Sequence, residues 1–366
     1  MRHSRLIRMV LATAPLVLLA ACASPEDSNS PGATSDETAS EPAEETGNAM
    51  KETLDYIEAG LPDLDGAKIA YIVECAAQNL YCQRRWEGAQ EAAKEVNAEV
   101  TLFDAGFDPA AQQSQVEDAI LRDFDGYVLA PVADASGCAA FEELETTGKP
   151  IANINSPMCG NSDYTDGTVG FVAMQTEEFF TDVMRNAFSS CTGDCKVVSV
   201  GGFVGSDLFT RWQNGIEIAS AEFPNVDVVA NQPGNFDPAV ALSVVQDALS
   251  AHPDIDLVVS PWDDMTRGIE EGIRAAGKVP GEDVQIHSVA GTKYGVQKVK
   301  EGAWTSTTIL LPREEAYYGM IQLARALADG ESTPGFASLA DAPAVVDGPG
   351  TIFITSENAD QFNPEY

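Results

Sequence analysis

Three histidines, His3, His252 and His287, are all that 366 residues contain, and 57 acidic side chains face only 21 basic ones. The scarcity of histidine removes the commonest general base and the commonest metal ligand from most of the chain. The cysteine spacings are not those of a zinc module either, so no metal is expected. A net charge of −36 argues against nucleic acid and against a basic face that docks on a membrane. A saline habitat, where such charge is screened, is one explanation for it. A Gly-x-Ser-x-Gly elbow, a Gly-x-Gly-x-x-Gly fingerprint, a P-loop and a His–Glu metal motif are all missing. No cofactor is expected, and an exported enzyme would have to work with carboxylates alone.

Long apolar runs are also rare, and the one at the start decides the compartment. Arg2, Arg5 and Arg8 precede a stretch, Met9 to Ala21, that is apolar except for Thr13. So short an apolar region reads as a secretory signal over 1–21, not as a membrane span. It closes on Leu19-Ala20-Ala21-Cys22, which resembles a bacterial lipobox and makes Cys22 the expected lipidation site. Residues 22–49 follow with seven acids, no base and no aromatic. With almost nothing to bury, they are expected to be a disordered tether.

Without Cys22 the cysteine count is six: Cys75, Cys82, Cys138, Cys159, Cys191 and Cys195. An even number in an exported chain predicts three disulfides. Proximity pairs Cys191 with Cys195, Cys75 with Cys82 and Cys138 with Cys159. The last four lie near strand ends of one half of the chain, so swapped pairings among them stay open.

Phe107-Asp108-Pro109-Ala110 returns as Phe236-Asp237-Pro238-Ala239, and at the same offset Val116, Asp118 and Ala119 meet Val245, Asp247 and Ala248. After one inserted residue, Val128-Leu129-Ala130-Pro131 faces Val258-Val259-Ser260-Pro261, and Asp134 faces Asp264. Each copy reads as a turn, an amphipathic helix and a short apolar strand. Strands are predicted near 67–74, 98–104, 125–131, 150–155, 168–173, 196–201, 226–232, 256–261, 283–289 and 304–310. Helices are predicted near 50–59, 82–96, 109–123, 134–147, 175–189, 208–222, 238–251, 262–277 and 313–329. Short apolar strands alternating with longer helices mean parallel sheets built from βαβ units. Two distant copies predict two similar doubly wound α/β lobes facing each other across a cleft.

Across the region from Lys68 onward the chain resembles the type I periplasmic binding proteins, specifically the ribose-binding-like receptors of ABC transporters. The likeness is carried by Gly88-Ala89-Gln90, Asp104 with Asp108-Pro109, Ala130-Pro131, Pro150-Ile151 and Ala251-His252-Pro253-Asp254. It continues through Asp263-Asp264-Met265, Ala290-Gly291-Thr292 and the tail Ile352-Phe353-Ile354-Thr355-Ser356-Glu357-Asn358, which looks like the family's closing strand. The resemblance implies two lobes joined by three crossings, about 66–172 with 311–340 and 173–310 with 341–366. It implies a small-molecule ligand in the cleft, ABC permease subunits as partners and a monomer. A DNA-binding regulator of the same fold is excluded by the signal and by the missing helix-turn-helix.

By the same resemblance the loop after the first strand carries ligand residues. Asn79 and Tyr81 match the family's amide and first aromatic, whereas Cys82 replaces the second aromatic. An amide offers donor and acceptor to a hydroxyl, and an aromatic face covers the C–H face of a sugar ring. Elsewhere the pattern departs. Asn155-Ser156 replaces an acid–arginine pair, Trp262 an amide, Ala290 an acid and Leu310 a glutamine, and Arg211 lies beside, not in, the register of an expected arginine. Asp263, next to Trp262, joins the expected ligand set. Several positions carry two readings. Glu74 is a ligand acceptor or an ion-pair partner, Arg211 a ligand contact or a surface arginine, Tyr81 and Trp262 cleft platforms or packed aromatics. With so few charged contacts, the expected ligand is neutral and less polar than ribose, sugar or polyol-like. The expected function is that of a lipid-anchored extracytoplasmic solute-binding protein, not an enzyme; a surface sensor is the alternative.

Overall fold

The computed structural model describes residues 49–161 and 163–366. The predicted signal, Cys22 and the tether up to residue 48 lie outside the described residues. Ala49, placed in the tether by the sequence, is buried and opens the first helix.

The first lobe is built from α1 (Ala49–Ala59), β1 (Lys68–Val73), α2 (Leu80–Glu95), β2 (Glu99–Asp104), α3 (Pro109–Leu121), β3 (Gly126–Ala130), α4 (Asp134–Glu145), β4 (Ile151–Ile154) and β5 (Phe171–Ala173). The second contains α5 (Glu177–Ser189), β6 (Cys195–Gly201), α6 (Asp207–Glu222), β7 (Val226–Pro233), α7 (Pro238–Ala251), β8 (Leu257–Val259), α8 (Asp263–Ala275), β9 (Gln285–His287), α9 (Lys293–Lys300) and β10 (Ser306–Thr308). The chain then returns through α10 (Pro312–Asp329), β11 (Phe336–Ser338) and α11 (Pro343–Val346), and ends on β12 (Phe353–Thr355).

The strand orders are β11-β5-β4-β3-β1-β2 and β12-β10-β9-β8-β6-β7. Position by position these are the same order, so the internal repeat reports two copies of one topology. All pairings are parallel except β12 against β10. Central strands such as β1 are apolar and buried after their first residue (Ile-Ala-Tyr-Ile-Val after Lys68) because helices cover both faces, whereas β2 at the sheet edge is only half-buried. The chain passes between sheets after β5, after β10 and after β11.

The two Asp-Pro pairs do what their types dictate. Asp108 accepts from the Ala110 N–H at 2.8 Å and Asp237 from the Ala239 N–H at 2.7 Å, each capping a helix that opens with proline. Three bridges join Cys75–Cys82, Cys138–Cys159 and Cys191–Cys195, with Cα separations of 5.5, 4.8 and 5.8 Å. The sequence reading lacked α9, a helix of only eight residues with a glycine in its first turn.

Candidate functional site

In open α/β sheets the loops beyond the carboxyl ends of the strands form the ligand crevice, at the point where the strand order reverses. Here β1 and β6 are the reversal strands of the two sheets. The loops after β1, β2, β3 and β4 face those after β6, β7 and β8 across a cavity of about 490 Å³. That is room for a monosaccharide-sized molecule, within the usual range of small-ligand sites.

The walls are aromatic on both sides. Tyr81 at the start of α2 and Trp262 after β8 meet edge to face, with ring centroids 6.2 Å apart and an interplanar angle of 82°. The Tyr366 ring lies behind Trp262, stacked at 6.2 Å and 23°. On the solvent side Phe107 of the first lobe contacts Phe203 of the second at 6.0 Å, and Phe203 contacts Phe236 at 5.3 Å. Phe107 and Phe236 open the two repeats, and both adopt left-handed backbone, φ 64° and 54°. That uncommon conformation turns both chains sharply just before their Asp-Pro caps. These three phenylalanines were missed as site residues, although the repeat itself marks two of them.

Asn79 is the N-cap of α2. Its side-chain oxygen accepts from the Cys82 N–H at 3.0 Å, and its Nδ2 has no partner among the described residues, which leaves it available to a ligand acceptor. The Cys75–Cys82 bridge closes this loop on itself. Gln78, also lining the cavity, is spent on the loop: it accepts from the Ala76 and Ala77 N–H groups and donates to Asp104.

Beneath these residues runs a polar chain that the sequence did not reveal. Glu74 pairs with the fully buried Arg85 at 2.5 Å, and Arg85 also reaches Glu315 of α10 at 3.3 Å. Tyr81 donates to Glu315 at 2.8 Å, Asn155 donates to the Tyr81 oxygen at 3.0 Å, and Ser156 donates to Asn155 at 3.2 Å. Arg211 of α6 completes it from the other lobe, donating to Ser156 at 2.7 Å and to the Gln175 carbonyl. Burial pushes the Glu315 carboxyl up, against the pull of Arg85. Burial opposes the Arg85 charge, but Glu74 and Glu315 hold its proton above the ordinary range. Tyr81 is pushed up by burial and by the Glu315 charge.

Of the seven expected ligand residues, five line the cavity: Glu74, Asn79, Tyr81, Asn155 and Trp262. Glu74 unites its two readings, as it faces the cavity while serving as the partner of Arg85. Two do not line it. Arg211 is 7 % exposed and its donors are turned inward, because so buried a guanidinium needs the acceptors that Ser156 and Gln175 supply. Burial lowers its pKa. Asp263 is fully buried under the second sheet. It accepts from Ser288, from the Thr292 N–H and hydroxyl, and from Thr307, at 2.7–2.8 Å. Burial lifts its carboxyl to about 6 against those four donors. It is a structural hub, and its neighbour Asp264 is the residue that reaches the cavity.

Ionisable groups in the lining are mostly acidic: Glu74, Asp207 and Asp264 against Arg267, which is already paired with Asp264 at 3.4 Å. Burial raises the Asp207 carboxyl. Among the described residues, then, no unpaired cation awaits an anionic ligand in this cavity. What the walls offer is ring faces, amides and carboxylate acceptors.

A two-lobed α/β receptor with its ligand cleft at the strand reversal is the class that this fold and cleft define. The profile of the family described as periplasmic binding protein domain matches residues 69–332, and the chain belongs to that family, in its type I, ribose-binding-like form. It is similar to the ribose import binding protein RbsB of Salmonella typhimurium, at 26% identity over 67% of this chain and 79% of the relative. It is likewise similar to the xylitol-binding protein of Mycolicibacterium smegmatis, at 26% identity over 67% and 68%. A Mycobacterium smegmatis structure in complex with β-D-fucofuranose shares 26% identity, covers 73% of this chain and 86% of its own, and superposes with a TM-score of 0.62. A Bacillus halodurans solute-binding protein with bound myo-inositol, at 21% identity, a TM-score of 0.70 and coverage of 81% and 97%, shares the fold.

Proposed function

We propose that this chain is the extracytoplasmic receptor of an ABC importer, anchored through lipidated Cys22, and that it closes on one small neutral sugar or polyol-like ligand. The observation that carries the ligand class is the lining, with aromatic platforms from both lobes, an unpartnered Asn79 amide and no unpaired cation. Ring faces cover C–H surfaces, and amides and carboxylates take hydroxyl groups. The names of the relatives, which include ribose, xylitol, apiose and galactofuranose binders, support the same class. We assign Glu74, Asn79, Tyr81, Asn155 and Trp262 to ligand contact, and take the lobes as 66–172 with 311–340 and 173–310 with 341–366. Binding and hinge closure make up the whole mechanism, with no bond made or broken.

A thermal-shift screen over sugars, polyols and nucleosides, with uronic acids and sugar phosphates alongside, tests this reading. A ligand that binds only the native state at a hundred times its Kd adds about 2.7 kcal/mol of stability. A neutral hit with silent anions is expected; stabilisation only by the anionic compounds would overturn the assignment. For the anchor, Cys22→Ala should abolish lipid labelling, and labelling at the wild-type level would refute it.

A further inference from the structure

The tail 362–366 and the first turn of α10 hold a pair of carboxyl groups that the receptor reading does not use. Glu365 accepts from the Arg313 N–H at 3.0 Å through one oxygen. Its other oxygen, and one oxygen of Glu314, are buried and have no donor among the described residues. Both side chains meet Arg313, Glu365 at its main-chain N–H and Glu314 at 3.8 Å from its guanidinium, so the two unpartnered oxygens belong to one buried site. Two carboxylates can bond only if a proton stands between them, because an ionised carboxylate has no donor. The surroundings supply little relief. Arg313 is committed to Glu91 and lies 3.8 Å from Glu314, and the remaining ionisable neighbours, Tyr318 and Tyr366, are neutral phenols.

The next residue of the tail reaches the cleft. Tyr366 is buried, its hydroxyl donates to the Ala290 carbonyl at 3.3 Å, and the Lys293 N–H donates to its main-chain oxygen at 2.7 Å. Its ring stacks behind Trp262, whose own side chain makes no hydrogen bond in the structure and is held by ring contacts with Tyr81 and Tyr366. We propose that Glu365 keeps a proton that it donates to Glu314 and so pins the tail to the first turn of α10, and that the pinned Tyr366 is the positioning residue that sets the Trp262 ring at the cleft wall.

Burial, followed by the contact with Glu314 and its charge, raises the Glu365 carboxyl from the ordinary glutamate value of 4.5 to about 10. A folded-state pKa above the unfolded one makes a contribution that is full below the unfolded value and is lost as pH rises toward the folded one. Between roughly pH 5 and 9, unfolding should therefore release one proton, and stability should fall with pH at the slope of one proton. Glu365→Gln gives Glu314 an amide N–H in place of the donated proton, so it should fold and lose that slope.

The test is thermal unfolding of the whole exported chain over this pH range for wild type, Glu365→Gln and Glu314→Gln, with Trp262 emission isolated by subtracting a Trp262→Phe variant. Shallower slopes in both glutamine variants are expected, and slopes equal to wild type would overturn the retained proton. Tyr366→Ala should shift Trp262 emission to the red and raise its acrylamide quenching several-fold, while Tyr366→Phe, which keeps the ring, should restore both. A folded Tyr366→Ala with unchanged Trp262 emission would overturn the positioning role. Neither readout needs a ligand, so a failed ligand screen and a failed tail proposal remain distinguishable.

Discussion

At the scale of single residues, what a side chain faces separates the cleft wall from the scaffold that holds it: Tyr81 and Trp262 are 8 % exposed and line the cavity, whereas Arg211, 7 % exposed, does not. Trp262 and Tyr81 line the cavity, so on the proposed assignment truncating either should remove apolar contact and stacking with the ligand. The expected loss on Trp262→Ala or Tyr81→Ala is about 1–3 kcal/mol, or roughly a five- to 150-fold weaker Kd in titration calorimetry. Tyr81→Ala should also cost stability, because it strands the Asn155 amide and one Glu315 oxygen. Asp263→Ala is the contrasting case. It empties a buried hub and leaves the Thr292 N–H, the Thr292 hydroxyl and the Thr307 hydroxyl without their acceptor, and Ser288 with only the Thr266 hydroxyl, so unfolding by urea should show a loss of roughly 3 kcal/mol. Any affinity change it causes should be secondary to that. The sequence could not separate these two neighbours, Trp262 and Asp263. One residue of phase at the end of β8 decides which side chain faces the cavity and which turns under the sheet, and that phase is set by packing.

At the scale of elements, the repeat made the architecture legible because each copy carries its own local signals. Asp108-Pro109 and Asp237-Pro238 announce helix starts, and β3 and β8 follow at matching distance. The short strands β11 and β12, three residues each, have no such signals and exist through their pairing at the sheet edges, β11 on β5 and β12 on β10. β12 was expected from family resemblance alone. The Arg85–Glu315 contact is equally invisible in sequence, since its partners stand 230 positions apart. The loop between β1 and α2 is the element most open to test. Its ends are tied by Cys75–Cys82, seven residues apart, and its last residue, Asn79, caps α2. Loop-closure entropy puts the bridge at about 2–3 kcal/mol of stability. The Cys75→Ser, Cys82→Ser double variant should lose about that much on thermal unfolding. It should also bind more weakly, because ordering the loop becomes a cost of binding. Wild-type affinity in a destabilised variant would show that the bridge serves the fold alone.

At the scale of the whole molecule, charge and closure act against each other. Acidic residues outnumber basic ones 57 to 21, and they do so in both lobes. On the proposed closing mechanism the lobes should repel as they approach, while contacts that cross the cleft should favour closure: Phe107 on Phe203, Tyr81 on Trp262 and Arg211 on Ser156. These contacts are short-ranged and mostly uncharged, whereas the repulsion is spread over the surface and open to screening. Raising salt from about 0.1 M to 1 M shortens the screening length from about 10 Å to 3 Å. Repulsion between exposed carboxylates should fade while the aromatic contacts persist. The melting temperature should accordingly rise with sodium chloride, and the ligand-free radius of gyration from small-angle scattering should shrink toward the closed value. Because the proposed ligand is uncharged, its affinity should rise with salt as well, since closure becomes less opposed. A ligand held by ion pairs would behave in the opposite way. Titration calorimetry of one neutral ligand across that salt range thus tests the closure argument and the ligand class together, and an affinity that falls steadily with salt would count against both.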